Sequence, residues 1–238
     1  MTQTHLAATW LGHGTFLFRS PGGRRILIDP FLESNPAHPS SFRTIDALDL
    51  LLITHGHSDH IEEAAQVAIA TGAPVIGIWE VCEWLLRRGV QKVKPMNKGG
   101  SQEVGGVRVS MVHAEHSSSY TEKQGITYLG EAVGYVLKFE NGMVTYFAGD
   151  TDVFSDMALI RELYAPTTAF LPIGDLFTMG PAGAAKACEL LGVRRVVPMH
   201  FGTFPALTGT PQALRRLVEP RGVSVLELKP GETAQIAD

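Results

Sequence analysis

One stretch of the chain, Leu50-Leu51-Leu52-Ile53-Thr54-His55-Gly56-His57-Ser58-Asp59-His60, joins an apolar run directly to three histidines and one aspartate. Such a run, bounded by turn residues, is typical of a strand that is covered on both faces. The side chains after it can converge on one point only if the backbone turns sharply, and we expect Gly56 to permit that turn. Neutral imidazoles and a carboxylate together suit zinc and neighbouring first-row metals. The stretch therefore predicts a metal site at a strand end, against the alternative of a polar loop that is merely rich in histidine.

The composition is that of a globular protein with a sizeable core, since 45% of the 238 residues are hydrophobic and 18% are charged. The net charge is −4, and the cationic clusters are only pairs such as Arg24-Arg25 and Arg87-Arg88. Nucleic acid bound through a broad positive face is therefore not expected, although a short oligonucleotide substrate stays open. We expect a small-molecule substrate, and we leave open whether the chain forms a homo-oligomer.

Nothing in the sequence predicts export or membrane insertion. The N-terminus lacks a charged segment followed by an apolar core, and no apolar run is long enough to cross a bilayer. Cys82 and Cys188 lie far apart in separate helical patterns, which favours two buried thiols over a disulfide or metal ligands. We therefore expect a cytoplasmic protein.

Apolar periodicity and turn residues predict an alternation of strands and helices. The expected strands cover residues 15–18, 25–28, 50–53, 74–78, 107–112, 135–139, 144–148, 169–173, 195–199 and 224–228. The expected helices cover residues 61–70, 80–88, 156–164, 182–191 and 211–218. Since no linker or short repeat interrupts the chain, we interpret residues 1–238 as a single domain of mixed sheets with helices outside.

Four of these strands run into a side chain that can bind a metal: His55, His116, Asp150 and His200. Open sheets tend to place their sites outside the carboxyl ends of the strands, where the backbone holds ligands rigidly. We therefore expect these four strand ends to lie on one rim and to enclose two metal ions.

The spacing of the donors suggests how the two ions are shared. His55 and His57 alternate along the chain and can serve a first metal, while Asp59 and His60 can serve a second. His116 and His200 are the candidates that complete the two sets, and Asp150 can bridge both ions through its two oxygens. Two ions about 3.5–4 Å apart share a water and lower its pKa toward about 7, which suits hydrolysis. Zinc is the first expectation, with manganese or iron as alternatives.

The chain resembles the metallo-β-lactamase superfamily, whose hallmark H-x-H-x-D-H matches His55 to His60. The later motifs also match, at His116-Ser117-Ser118, Gly149-Asp150-Thr151 and Pro198-Met199-His200. The chain is most similar to the small, poorly characterised metal-dependent hydrolases of that superfamily, through Trp10-Leu11-Gly12-His13, Ile28-Asp29-Pro30 and the loop Leu171 to Pro181. Related members include lactonases that act on sugar acids. The resemblance implies a four-layer αββα sandwich with a dinuclear site at one edge.

Several further residues are candidates with open alternatives. His113 competes with His116, but residues three apart on a strand face opposite sides, and the family pattern favours His116. The resemblance places His13 beside the metals, where it donates a proton, contacts substrate or supports a ligand by hydrogen bonding. Asp29 is expected to orient a ligand imidazole rather than to bind metal. Phe177 and Met179 either line an apolar substrate wall or fold back onto the core.

The leading hypothesis is a metal-dependent hydrolase in which metal-bound hydroxide cleaves an ester- or lactone-type bond, or a phosphodiester bond, of a small molecule. Asp59 and Asp150 would fix the orientation of that nucleophile. A mononuclear iron dioxygenase and a nuclease of the same fold are the alternatives. A purely structural zinc is disfavoured, because structural sites are usually closed and often rich in cysteine.

Overall fold

The computed structural model describes residues 5–237, in which two seven-stranded sheets lie beside one two-stranded hairpin. The first sheet is made of β1 (Leu6–Trp10), β2 (Phe16–Arg19), β3 (Arg25–Ile28), β4 (Leu50–Leu52), β5 (Val75–Ile78), β6 (Val93–Met96) and β16 (Thr233–Ile236). Its spatial order is β16-β1-β2-β3-β4-β5-β6. Neighbours are antiparallel from β16 to β3 and parallel from β3 to β6.

The second sheet mirrors this mixture of directions. It contains β7 (Ser101–Val104), β8 (Val107–His113), β11 (Val133–Lys138), β12 (Val144–Phe147), β13 (Thr168–Pro172), β14 (Arg195–Met199) and β15 (Ser224–Val225), in the order β15-β14-β13-β12-β11-β8-β7. Strands β12 to β15 are parallel, so their carboxyl ends meet at one edge. The remaining two strands, β9 (Ser119–Glu122) and β10 (Gly125–Tyr128), form the separate hairpin.

Six α-helices cover the outer faces of the sheets within the described residues. They are α1 (Ser58–Ile61), α2 (Ala64–Thr71), α3 (Trp79–Arg87), α4 (Met157–Tyr164), α5 (Pro181–Leu191) and α6 (Pro211–Val218). Helix α3 packs against β5 and β6, whereas α4, α5 and α6 share a hydrophobic cluster with the second sheet. The expected αββα sandwich is confirmed.

The main core lies between the two sheets. Phe16 and Phe18 are two residues apart on β2 and therefore point to the same face. The ring of Phe170 on β13 lies 5.1 Å from that of Phe16 and 4.9 Å from that of Phe18, centroid to centroid. All three residues are fully buried. This aromatic packing fixes the separation of the sheets and, with it, the distance between side chains at their edges.

The strands expected over residues 15–18 and 25–28 pair as the antiparallel hairpin β2–β3, and those expected over residues 135–139 and 144–148 pair as β11–β12, but other boundaries differ from the prediction. The helix expected over residues 61–70 is interrupted between α1 and α2, because the Glu63 N–H donates to the Pro30 carbonyl at 3.2 Å instead of to the preceding helical turn, and the Glu63 carboxylate accepts the backbone N–H groups of Leu32 and Glu33. The strand expected over residues 224–228 shrinks to β15. The sequence pattern did not predict β1 or β16, which pair with each other.

Two expectations about the chain as a whole concern its thiols and its helices. Cys82 and Cys188 are unpaired and buried, as expected, and burial raises the pKa of each thiol to about 12. Among residues 5–237, no helix combines the length and the hydropathy that a membrane span requires.

Candidate metal centre

Two hydrogen bonds join the sheets at the edge where the histidine-rich stretch begins. The Tyr135 hydroxyl donates to the Ile53 carbonyl at 2.6 Å, and the Val133 N–H donates to the Thr54 carbonyl at 3.0 Å. Both donors belong to β11 of the second sheet, and both acceptors directly follow β4 of the first. The end of β4 is thereby held against the second sheet, next to the strands that carry the later candidate ligands.

Gly56 serves a different purpose from the one expected. It does not adopt a positive φ, so the turn itself does not require glycine. A Cβ at this position would lie 2.5 Å from Cδ1 and 2.8 Å from Cβ of Leu129, and the Gly56 N–H donates to Ser118 Oγ at 3.1 Å. Glycine is therefore required for the close approach of Leu129, which fixes the backbone between His55 and His57.

Three imidazoles form the first group of donors. His57 Nδ1 lies 3.1 Å from His55 Nε2 and 3.3 Å from His116 Nε2. His55 is completely buried, whereas His57 and His116 are partly exposed. The three side chains together offer ligand atoms within 4.8 Å of one another.

A second group combines Asp59, His60 and His200. Their ligand atoms, together with one from His13, also lie within 4.8 Å of one another. The two imidazoles are buried, while the Asp59 side chain is 31% exposed. An open side of this kind is typical of catalytic rather than structural metal sites.

Asp150 lies between the two groups. Its Oδ2 is 3.0 Å from His200 Nε2, 3.3 Å from His60 Nε2 and 3.8 Å from His116 Nε2. One oxygen, rather than the two expected, thus approaches both sets of imidazoles. The other, Oδ1, is buried without a hydrogen-bond partner.

The residues fit first-row divalent ions on two observations. His60 Nε2 and His200 Nε2 are buried without a hydrogen-bond partner, although each faces the Asp150 carboxylate. Buried polar atoms are normally paired, so atoms left in this way point to a missing partner. The nitrogen separations of 3.1 and 3.3 Å around His57 are also close to the roughly 3.4 Å between two ligands of one tetrahedral ion bound at about 2.0–2.1 Å.

Electrostatics favour a positive charge at the centre of the cluster. Burial opposes the charge on His60, but the carboxylates of Asp150, Asp29 and Asp59 outweigh it and raise the pKa of His60 well above its usual range. Burial and the charge on His60 lower the pKa values of His55 and His57. The cluster therefore favours a proton on His60 and neutral imidazoles at His55 and His57. A bound metal cation would replace that proton as the positive charge.

Asp29 lies behind His60, where it can orient that imidazole. Its carboxylate accepts the Thr54 N–H at 2.7 Å and the Thr54 hydroxyl at 2.6 Å, and its Oδ2 lies 2.9 Å from His60 Nδ1. A carboxylate on Nδ1 fixes the tautomer and turns Nε2 toward the cluster. This position allows the orienting role of Asp29, which stays a prediction.

His13 touches the second group directly. Its Nε2 lies 2.9 Å from Asp59 Oδ2, and its ring centroid lies 3.8 Å from that of His200. The His13 carbonyl accepts the N–H of His200 at 3.0 Å and the indole N–H of Trp10 at 2.9 Å. Burial lowers the pKa of His13 to about 4, so its imidazole is neutral at pH 7 and donates one N–H. The contact with Asp59 favours the supporting role among the three that the sequence left open.

His113 lies outside the cluster. Its Nδ1 is 3.2 Å from Lys98 Nζ, its Nε2 is 3.2 Å from Glu115 Oε2, and its ring packs edge-on against Phe154. Strand β8 ends at His113, so the backbone has left the sheet before His116. The structure thus brings His116, and not His113, to the other donors.

We expect His116→Asn to remove about one metal equivalent per chain, because it deletes one of three imidazoles around the first position. The matched variant His113→Asn should keep its full metal content. Elemental analysis of both variants, purified and reconstituted side by side, measures this difference. Equal metal content in the two variants would contradict the assignment of His116.

The two residues proposed for a substrate wall, Phe177 and Met179, differ from each other in burial. Met179 is 3% exposed and packs into the cluster between the second sheet and its helices, so it follows the alternative of folding back onto the core. Phe177 is 63% exposed on the same loop. The sequence pattern missed Phe204, whose ring lies 5.6 Å from that of His13. The sequence signal that could have identified Phe204 was its position, four residues after the candidate ligand His200.

Comparisons with known proteins agree with this fold. Residues 24–201 match the family described as the Beta-lactamase superfamily domain. The chain is 52% identical to a UPF0173 metal-dependent hydrolase of Solibacter usitatus over 227 residues, which are 95% of this chain and 98% of that protein. It is 46% identical to a UPF0173 metal-dependent hydrolase of Methanopyrus kandleri over 227 residues, which are 94% and 97% of the two chains.

Among solved structures, the chain is similar to Igni18, described as a novel metallo hydrolase from the archaeon Ignicoccus hospitalis. The TM-score is 0.86 at 33% identity, and the match covers 99% of this chain and 100% of that one. The family match over most of the chain and these near full-length relatives lead to one conclusion: the chain belongs to the β-lactamase superfamily and, within it, to the group of UPF0173 metal-dependent hydrolases.

Proposed function

We propose that this metal-dependent hydrolase cleaves an ester- or lactone-type bond, or a phosphodiester bond, of a small molecule at a site that holds two divalent ions, zinc in the first instance. The observation that carries the proposal is the position of Asp150 Oδ2 within 3.8 Å of imidazole nitrogens from both donor groups. A single carboxylate oxygen between two sets of imidazoles is suited to bridging two ions.

His55, His57 and His116 would hold one ion, and Asp59, His60 and His200 would hold the other, with Asp150 between them. When bound, such ions lower the pKa of a coordinated water toward about 7 and polarise the scissile bond. The surrounding protein residues hold these donors in position. Asp29 holds His60 with Nε2 toward the cluster, and His13 holds the Asp59 carboxylate.

Three features of the chain support hydrolysis of a small substrate in the cytoplasm. The partly exposed residues Asp59, His57 and His116 leave one side of the donors open to a ligand. The chain has a net charge of −4, which disfavours a large polyanionic partner. Two free buried cysteines fit a reducing compartment.

The test is a turnover screen of protein reconstituted separately with zinc, manganese and iron(II), across lactones, thioesters, phosphodiesters and β-lactams. We expect hydrolysis of an ester or lactone, or of a phosphodiester, by protein that holds about two ions per chain. A chelator should abolish the activity and added metal should restore it. The proposal fails if the folded protein takes up no transition metal, or if turnover requires iron together with oxygen.

A further inference from the structure

An aromatic side chain lies exposed beside the candidate metal centre. The ring of Phe204 meets that of His13 edge-on, with centroids 5.6 Å apart and planes at 72°. Phe204 nevertheless stays 39% exposed. Because His13 also contacts Asp59, only the His13 ring lies between Phe204 and a residue of the second donor group.

The loop that carries Phe204 is fixed at both ends. Phe201 stacks on Trp10 with ring centroids 5.1 Å apart, and Leu207 is 4% exposed. The Leu207 N–H donates to the Phe204 carbonyl at 3.0 Å, and the Gly209 N–H donates to the Gly174 carbonyl at 3.2 Å. These contacts give the loop that carries Phe204 a defined position beside His13.

The surroundings of Phe204 are almost free of charge. Phe31 covers another side of His13, with ring centroids 5.7 Å apart. The loop of residues 201–209 contains no ionisable side chain, and the adjoining residues 174–180 contain only Asp175. Residues 174–180 also present Leu176, which is 66% exposed, and the exposed Phe177.

Beyond the end of β8, by contrast, the surface carries charged side chains. Lys98 contacts both His113 and Glu131, and His113 in turn contacts Glu115. These groups surround the end of the strand that precedes His116. The approach to the cluster is therefore charged near β8 and apolar near His200.

We propose that Phe204 forms the wall of an apolar subsite, which holds a hydrocarbon part of the substrate, such as an acyl chain, while the scissile group lies at the metal donors. The inference rests on the proposed hydrolytic function and adds to it a substrate class: esters or lactones with an extended apolar substituent. A flat ring of fixed position beside the reacting group offers contact area at little cost in conformational entropy.

The experiment measures binding as well as turnover. Calorimetry with the zinc-reconstituted protein gives the affinity for acetate, butyrate, hexanoate and octanoate, which are the carboxylate products of simple esters. We expect affinity to rise about twofold for each added methylene, below the roughly fourfold limit for complete burial. The same chain-length series of esters, assayed for turnover, should show KM falling in parallel.

Phe204→Ala should flatten the dependence on chain length and leave acetate binding within about twofold. Phe204→Leu keeps an apolar side chain and should retain part of the slope. Leu217→Ala is the matched control, because Leu217 is also 39% exposed but lies on α6. Thermal melting of each variant verifies that it is folded.

The two proposals fail in distinguishable ways. A slope that is absent from the unsubstituted protein, or that is unchanged in folded Phe204→Ala, overturns the apolar subsite even if esters are hydrolysed. The other case is a binding slope that depends on Phe204 in a protein that hydrolyses none of the esters, lactones and phosphodiesters tested. That result supports the subsite and contradicts the proposed function instead.

Discussion

Asp150→Asn is expected to lower kcat/KM by about 10³-fold, which corresponds to roughly 4 kcal/mol of barrier. The Asp150 carboxylate is buried, and its Oδ2 is 3.0 Å from His200 and 3.3 Å from His60. Burial alone would raise the pKa of Asp150, but its electrostatic and hydrogen-bond contacts with the His200 and His60 imidazoles outweigh burial and hold that pKa well below its usual range, so the group is an anion at neutral pH. Asparagine has nearly the same shape but carries no charge, so it would not bridge the two cations of the proposed site.

Metal content and turnover, measured on the same preparation, test this expectation. The matched control is Asp152→Asn, because Asp152 is exposed two residues further along the chain. It should retain full metal content and a rate within about twofold. Asp150→Asn with two bound ions and a nearly unchanged rate would show that Asp150 does not bridge the donor groups.

Asp59→Asn is expected to lower turnover by more than about 10²-fold without unfolding the protein. Asp59 is the partly exposed carboxylate at the open side of the cluster, and its Oδ2 accepts from His13 Nε2 at 2.9 Å. The His13 hydrogen bond and the charge on His60 outweigh burial and lower the pKa of Asp59, so asparagine removes a full negative charge. The loss should fall on kcat more than on KM, because Asp59 is expected to orient the reacting water rather than to bind substrate.

Steady-state kinetics of metal-replete protein, with a melting curve for each variant, provide the measurement. Glu62→Gln serves as the control, since Glu62 is an exposed carboxylate three residues further along the chain. Unchanged hydrolysis by Asp59→Asn that holds its metal would reject the role of Asp59.

The layers of the fold could be predicted from the sequence because strand and helix periodicities differ and the apolar runs are long. Residues 50–53 and 195–199 have no competing interpretation as loops, since a continuous apolar run must be covered. Strands β9 and β10 were not predicted, and they differ from the other strands because Ile126 and Tyr128 remain exposed instead of joining a core. The break at Glu63 was not predicted either, since it depends on a loop thirty residues away.

The candidate site divides in a similar way. His113 and His116 are chemically identical, and only the end of β8 at His113 separates one from the other in space. The sequence suggested that Gly56 was needed for a turn. In the structure, glycine is needed there because the side chain of Leu129, the residue directly after β10, leaves no room for a Cβ. Phe204 had no pattern of its own, because one exposed aromatic residue in a loop is ordinary.

The sequence alone determined which chemistry is available, because His55 to His60, His116, Asp150 and His200 are donors whose affinity for metals is a property of the side chains themselves. It also determined that these donors follow strands, because burial of apolar runs is a local requirement. Only the tertiary structure decided the distances between them, which group His116 and His200 each join, and that a single oxygen of Asp150, Oδ2, lies between the two sets of imidazoles. The reason is physical: distances between residues far apart in the chain are set by how the two sheets pack, and close packing leaves one arrangement of their edges.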